Sequence, residues 1–176
     1  GTMARRDDLI KFGETHNIKV GTIADLIDYR LSSDSTIEAI SEKTIQNEFG
    51  EFNLIVWRDN IMDEYHFSLT KGDLSKVESP LVRVQTQSIL QDTLGIEEMG
   101  KNWSIRKSIE RISKEEAGLF VLINHRDARS YWLNKLKDKE VEPKKNRKVI
   151  GVGSQICRAL NLKKITVLGT PTKYNA

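Results

Sequence analysis

Alternation of apolar and polar positions dominates the chain from about residue 36 to residue 90. TIEAISEKTIQN and NLIVWRD read as two strands, joined at FGEF by a glycine turn, and EYHFSLT returns antiparallel to the second. PLVRVQT adds a further strand. The spacing then changes. In Asn102–Glu116, NWSIRKSIERISKEE, Trp103, Ile105, Ile109 and Ile112 share one face of a helix with Lys and Arg opposite, and Gly118 is expected to close it. That apolar face suits a core better than an interface. GLFVLINH is almost wholly apolar, the signature of a strand covered on both faces. A helix around Ala128–Asp138, the charge run KDKEVEPKKNRK and the closing GVGSQICRALNLKKITVLG complete the chain, the last as helix, turn and strand. The expected class is α+β: a mixed sheet with a hairpin-rich first half and a βαβ-like second half.

Before residue 36 the pattern is helical. Leu9, Ile10 and Phe12 lie among charges over Arg5–His16, and Ile23, Leu26 and Ile27 mark a second helix over Thr22–Leu31, with Thr22 as its N-cap and Asp25 near its positive end. HNIKVGT between them reads as a short extended piece. LSSDST, small and polar, is the linker signal. The expected division is therefore 1–31, a 32–39 linker, and 40–176.

Composition narrows the function classes. With 28 basic and 25 acidic residues the net charge is +3 and the pI about 8.9, without the interleaved aromatic residues of a nucleic-acid platform. No nucleic-acid partner is expected. No run approaches the roughly 20 apolar residues of a membrane span, and GTMARRDDLI lacks a signal-peptide core, so a cytoplasmic protein with no membrane partner is expected. The single cysteine, Cys157, can close no internal disulfide and sits in the apolar pattern QICRAL, as a small core residue would. His16, His66 and His125 are too far apart for a short metal motif. His125 has no evident nucleophile or acid beside it and reads as a loop histidine.

Two stretches resemble known families. GTMARRDDLIKFGETHNIKVGTIADLIDYR is similar to the C-terminal tail of the dihydroxybutanone phosphate synthases of riboflavin biosynthesis. From about residue 40, the landmarks FGEF, GDLSKVESPLVRV, EEAG, GLFVLI and GSQICRALNLKKITVLGTPTKY resemble GTP cyclohydrolase II, the domain fused behind that synthase in many bacteria. The resemblance implies a zinc cofactor in the cyclohydrolase part, magnesium in the synthase part, an attached synthase domain as partner, and a homodimer.

Against the cyclohydrolase pattern the site residues depart. The family's arginine and valine lead into His-Ser-Glu-Cys, whose cysteine joins a later Cys-Asp-Cys pair on zinc; the three thiolate positions fall here on Ser88, Met99 and Lys101. None is a thiolate, and an ammonium repels a dication. The family's Asp-x-Arg aligns with Asn146 and Lys148, which supply neither a carboxylate nor a guanidinium. HRDARSYW, with bulky Tyr131 and Trp132, stands in place of the Arg-Gln-Glu-Gly-Arg loop. Arg83 and Lys173 match a substrate-facing arginine and a phosphate-contacting lysine.

The expectation is a cyclohydrolase-like domain without zinc, without any cofactor of its own and with no catalytic residue, serving its synthase structurally, as a dimerisation element or as a regulator. Two other readings stay open. One is a module binding GTP or another phosphate ligand through Arg83 and Lys173; the other is an enzyme with a rearranged site.

Overall fold

The computed structural model describes residues 3–23, 25, 26, 29, 36–96, 103–124 and 147–169, with the side chains of Arg147 and Lys148 excepted. The chain forms two units, Gly1–Asp34 and Ser35–Ala176.

In the first unit, α1 spans Arg6–His16. Asp7 and Asp8 occupy its first turn, where the helix dipole favours negative charge, and the Arg5 N–H donates to Asp8 Oδ2 at 2.9 Å. Asn17 ends the helix in the left-handed conformation, and the Ile18 N–H reaches back to the Gly13 carbonyl at 2.8 Å. Thr22 is an N-cap, as its sequence context predicts. The Asp25 N–H donates to Thr22 Oγ1 at 3.0 Å while the Thr22 N–H donates to Asp25 Oδ2 at 3.2 Å, a reciprocal pair that lowers the Asp25 pKa.

The second unit is built on a six-stranded mixed sheet: β1 (Ile37–Asn47), β2 (Gly50–Asp59), β3 (Glu64–Lys71), β4 (Leu81–Thr86), β5 (Gly118–Ile123) and β6 (Thr166–Val167). Their spatial order is β1-β2-β3-β5-β4-β6. Pairing is antiparallel from β1 through β3 to β5, and parallel between β4 and each of its neighbours β5 and β6. Helix α2 (Ile105–Ser113) connects β4 to β5, and α3 (Arg147–Ala159) lies between β5 and β6 in the chain.

The period of two along each strand sorts the core into two layers. On one face, Phe52 and Phe120 pack with Ile112 of α2, flanked by Ile45, Leu69, Ile105, Ile109 and Leu122. On the other, Ile55, Trp57, Val82, Val121 and Ile123 pack with Val152, Ile156 and Cys157 of α3. The isoleucine face of α2 is therefore core. Strand β5 is buried on both faces because it is central, with a helix on each side.

Three expectations need correction. Residues 37–39 are strand, not linker, because β1 already pairs there with β2. Helix α2 is shorter than Asn102–Glu116: the Ser104 side chain accepts the Lys107 N–H at 3.1 Å and caps it, and Lys114 ends it in a right-handed conformation. Gly118 does not close this helix. It opens β5, where a Cβ would lie 2.9 Å from Ile112 Cγ2 and 3.0 Å from the Leu81 carbonyl, so close packing is what requires glycine there. The expected helix around Ala128–Asp138 and the charge run after it lie outside the described residues. Among the described residues no helix is long and apolar enough to cross a membrane.

Candidate functional site

In sheets with parallel strands, ligands bind beyond the carboxyl ends, where successive crossovers lie on opposite faces. Here β4 and β5 end together at Thr86 and Ile123, with α2 on one face and α3 on the other. The candidate site is therefore the edge carrying Gln85–Ser88, Asn124 and Leu168–Gly169.

Arg83 lies three residues before the end of β4 and shares a face with Gln85. Its Nε donates to Gln85 Oε1 at 2.7 Å, and its Nη1 donates to the Leu168 carbonyl at 2.9 Å. Gln85 is itself buried, and its Oε1 also accepts the Ser108 hydroxyl at 3.2 Å. The result is a polar chain from the end of β6 through β4 to α2. Burial lowers the Arg83 pKa from its ordinary value, yet guanidinium basicity is high enough to keep it charged. No carboxylate among the described residues pairs with it.

Ser88 begins a π-helical turn over Ile89–Thr93. Its hydroxyl accepts the Gln91 N–H at 3.4 Å, and its own N–H donates to Asp92 Oδ2 at 2.7 Å. The second oxygen of Asp92 accepts the Ile105 N–H at 2.8 Å, in the first turn of α2. Asp92 thus joins the exit of β4 to the start of α2.

Other polar groups end near the same edge of the sheet. His66 is fully buried in β3, and its Nδ1 accepts the Asn124 N–H at 3.2 Å. Gln155 of α3 accepts both the N–H and the hydroxyl of Thr36, at 2.7 and 3.1 Å, which fixes the entry to β1.

The sequence of the GTP cyclohydrolase II family matches residues 38–176. The chain belongs to that family. It is also similar to the 3,4-dihydroxy-2-butanone 4-phosphate synthase of Pseudomonas aeruginosa, 36% identical over 100% of this chain and 50% of that protein. Similarity extends to the riboflavin biosynthesis protein RibBA of Aquifex aeolicus, at 31% identity over 96% of this chain and 45% of its relative. Among solved structures it resembles RibBX, a two-domain 3,4-dihydroxy-2-butanone 4-phosphate synthase from A. baumannii, with a TM-score of 0.64 and 30% identity over 99% of this chain and 46% of the other. The chain spans about half the length of the curated relatives it matches.

Of the site residues expected from sequence, the structure describes Arg83 and Ser88 and brings both to the end of β4. Lys148 falls in the first turn of α3 by its backbone; Met99, Lys101, His125, Tyr131, Trp132, Asn146 and Lys173 lie outside the described residues. The zinc that the resemblance implies does not fit the residues expected at its three positions. Ser88 offers a neutral hydroxyl already accepting a backbone N–H, and its partners in sequence are a thioether and an ammonium. No step is derived through that metal.

Sequence reading missed Gln85, Ser108, Asp92 and Gln155. Gln85 had a signal, its i+2 placement on the face of Arg83. The Asp92 contacts depend on a crossover and had none.

Cys157 is buried, as its apolar context suggests, and desolvation raises its thiol pKa. Ionising a buried thiol is costly, so the core tolerates Cys157 fully below its ordinary pKa, and stability falls as pH rises toward the raised value. Ellman's reagent at pH 8 is expected to leave the native thiol unlabelled and to label one thiol per chain in guanidinium. Fast native labelling would show that α3 opens readily.

Proposed function

We propose that this chain is a GTP cyclohydrolase II-like domain without cyclohydrolase activity, which supports an attached 3,4-dihydroxy-2-butanone 4-phosphate synthase of riboflavin biosynthesis. The observation that carries this reading is Ser88: at the thiolate position stands a hydroxyl used to cap the turn that follows β4. Residue types at the other departed positions agree, since Met99, Lys101, Asn146 and Lys148 restore neither the metal nor the acid and base groups. Hydrolytic zinc supplies a Lewis acid and a hydroxide near neutral pH, and neither has a source in these side chains.

In this reading residues 1–31 are the tail of the synthase domain and residues from 37 onward the cyclohydrolase-like domain of one cytoplasmic, homodimeric protein. The resemblance of the first stretch and the names of the relatives support the attached synthase. The test is to purify the whole protein, measure bound zinc and GTP turnover, and compare synthase activity and native mass with a truncation after Asp34. Substoichiometric zinc, GTP turnover at background, and a severalfold loss of synthase activity or a halved mass are expected. Stoichiometric zinc with GTP turnover would sink the proposal; unchanged synthase activity and mass would remove its supporting role.

A second reading rests on Arg83. A half-buried guanidinium that, among the described residues, meets only neutral acceptors retains donors and a charge that suit a phosphate-bearing ligand. Lys173 is the second cation proposed for it. Calorimetry with GTP and with flavin mononucleotide should show binding that Lys173→Ala weakens about tenfold. Absence of heat in the parent protein would end this reading.

A further inference from the structure

The residues do not fit zinc, yet the segment after β4 is held in a defined turn. We infer that the Asp92 carboxylate is the positioning residue for residues 88–96, holding them to both β4 and α2 with no metal ion. The inference rests on the reading that zinc is absent.

Three features of the geometry lead there. In this chain each oxygen of Asp92 receives one backbone N–H, and the two donors belong to different elements: Ser88 at the exit of β4 and Ile105 at the start of α2. The carboxylate spans 13 residues of sequence in one direction and four in the other. It also satisfies one of the first helical N–H groups of α2, which have no partner within the helix, while the Ser104 hydroxyl satisfies another at Lys107.

The turn around Asp92 is closed by its own backbone as well. The Asp92 N–H donates to the Ser88 carbonyl at 2.6 Å, the Leu94 N–H to the Ile89 carbonyl at 3.0 Å, and the Ile96 N–H to the Leu90 carbonyl at 2.9 Å. Leu90 is buried and anchors the turn from below, and Gly95 takes the positive φ of +70° that lets the chain turn back. Each carboxylate oxygen takes one of the two N–H donors, and in an asparagine one of those two positions would be an NH2 group, which donates and cannot accept. Charge on the acceptor makes both bonds stronger than neutral ones.

The consequence is a segment that keeps its form without any ion. It also keeps α2, and with it Ser108 and Gln85, in place around Arg83, so the anion-facing end of β4 depends on Asp92 at one remove.

Amide hydrogen exchange on the whole protein tests this, with Asp92→Asn as the closest isostere and Asp92→Ala beside it. In Asp92→Asn the Ser88 and Ile105 amides should exchange about ten- to a hundredfold faster, while amides of β1 and β2 stay within about twofold. EDTA should leave the parent pattern unchanged. Equal acceleration of all amides, or none at Ser88 and Ile105, would overturn the role of Asp92 while leaving the zinc-free reading intact. If EDTA loosens the parent segment and zinc restores it, a metal holds the turn, and both the inference and the reading beneath it fall.

Discussion

Replacing Gly72 with alanine should cost about 2 to 4 kcal/mol, a large share of the roughly 5 to 15 kcal/mol that keeps a domain folded. Gly72 follows β3 at a φ of +62°, a region that alanine enters only with strain. The neighbouring backbone makes matters worse. Lys71 pairs with Gly118, so the chain leaving β3 passes the chain entering β5, and a Cβ on residue 72 would lie 2.1 Å from the Glu116 carbonyl oxygen. That oxygen belongs to the main chain and cannot swing aside as a side chain would. For a unit of this size the thermal midpoint should fall by roughly 5 to 15 °C.

Gly95→Ala separates the two causes. Its φ of +70° is equally unfavourable, but among the described residues nothing lies within 4 Å of the added methyl. A loss of about 1 to 2 kcal/mol is expected there from conformation alone. Equal losses for the two variants in urea unfolding would show that the Glu116 segment yields to the methyl group and that the contact costs little.

Phe120→Ala should be comparably damaging, at about 3 to 5 kcal/mol. Phe120 sits in the central strand and is 2% exposed, packed between Phe52 of β2 and Ile112 of α2. Its neighbours in this layer come from strands of the sheet and from the crossover helix α2, so they cannot easily collapse into the space left behind. Phe120→Leu keeps most of the volume and should cost about 1 kcal/mol. Calorimetric or urea unfolding measures both; similar losses for the two would mean that ring shape, not lost volume, dominates this layer.

Arg83 shows how far a single side chain could be read in advance. Alternation placed it on a strand, and resemblance marked it as substrate-facing, both from residues close together in sequence. That its guanidinium bonds the Leu168 carbonyl was not legible, because 85 residues separate the two. Resemblance set Ser88 against a thiolate position, but its role as a cap was not legible, since capping depends on where the turn begins. Gly118 failed for a related reason. Glycine after a helical pattern suggests termination, and the competing demand, close approach of Ile112 and the Leu81 carbonyl, exists only once α2 lies on the sheet.

By itself the sequence determined the kinds of elements and their order: alternation for the strands, the isoleucine period for α2 and an apolar run for the doubly covered β5. These are local properties, set by side-chain chemistry and by repeats of two or 3.6 residues. Tertiary structure decided which polar groups meet: Arg83 with Leu168, Gln85 with Ser108, Asp92 with Ile105, and Thr36 with Gln155. Such pairings follow from strand order and crossovers, which bring distant residues within hydrogen-bond reach, and buried polar groups must then find partners among whatever those crossovers supply.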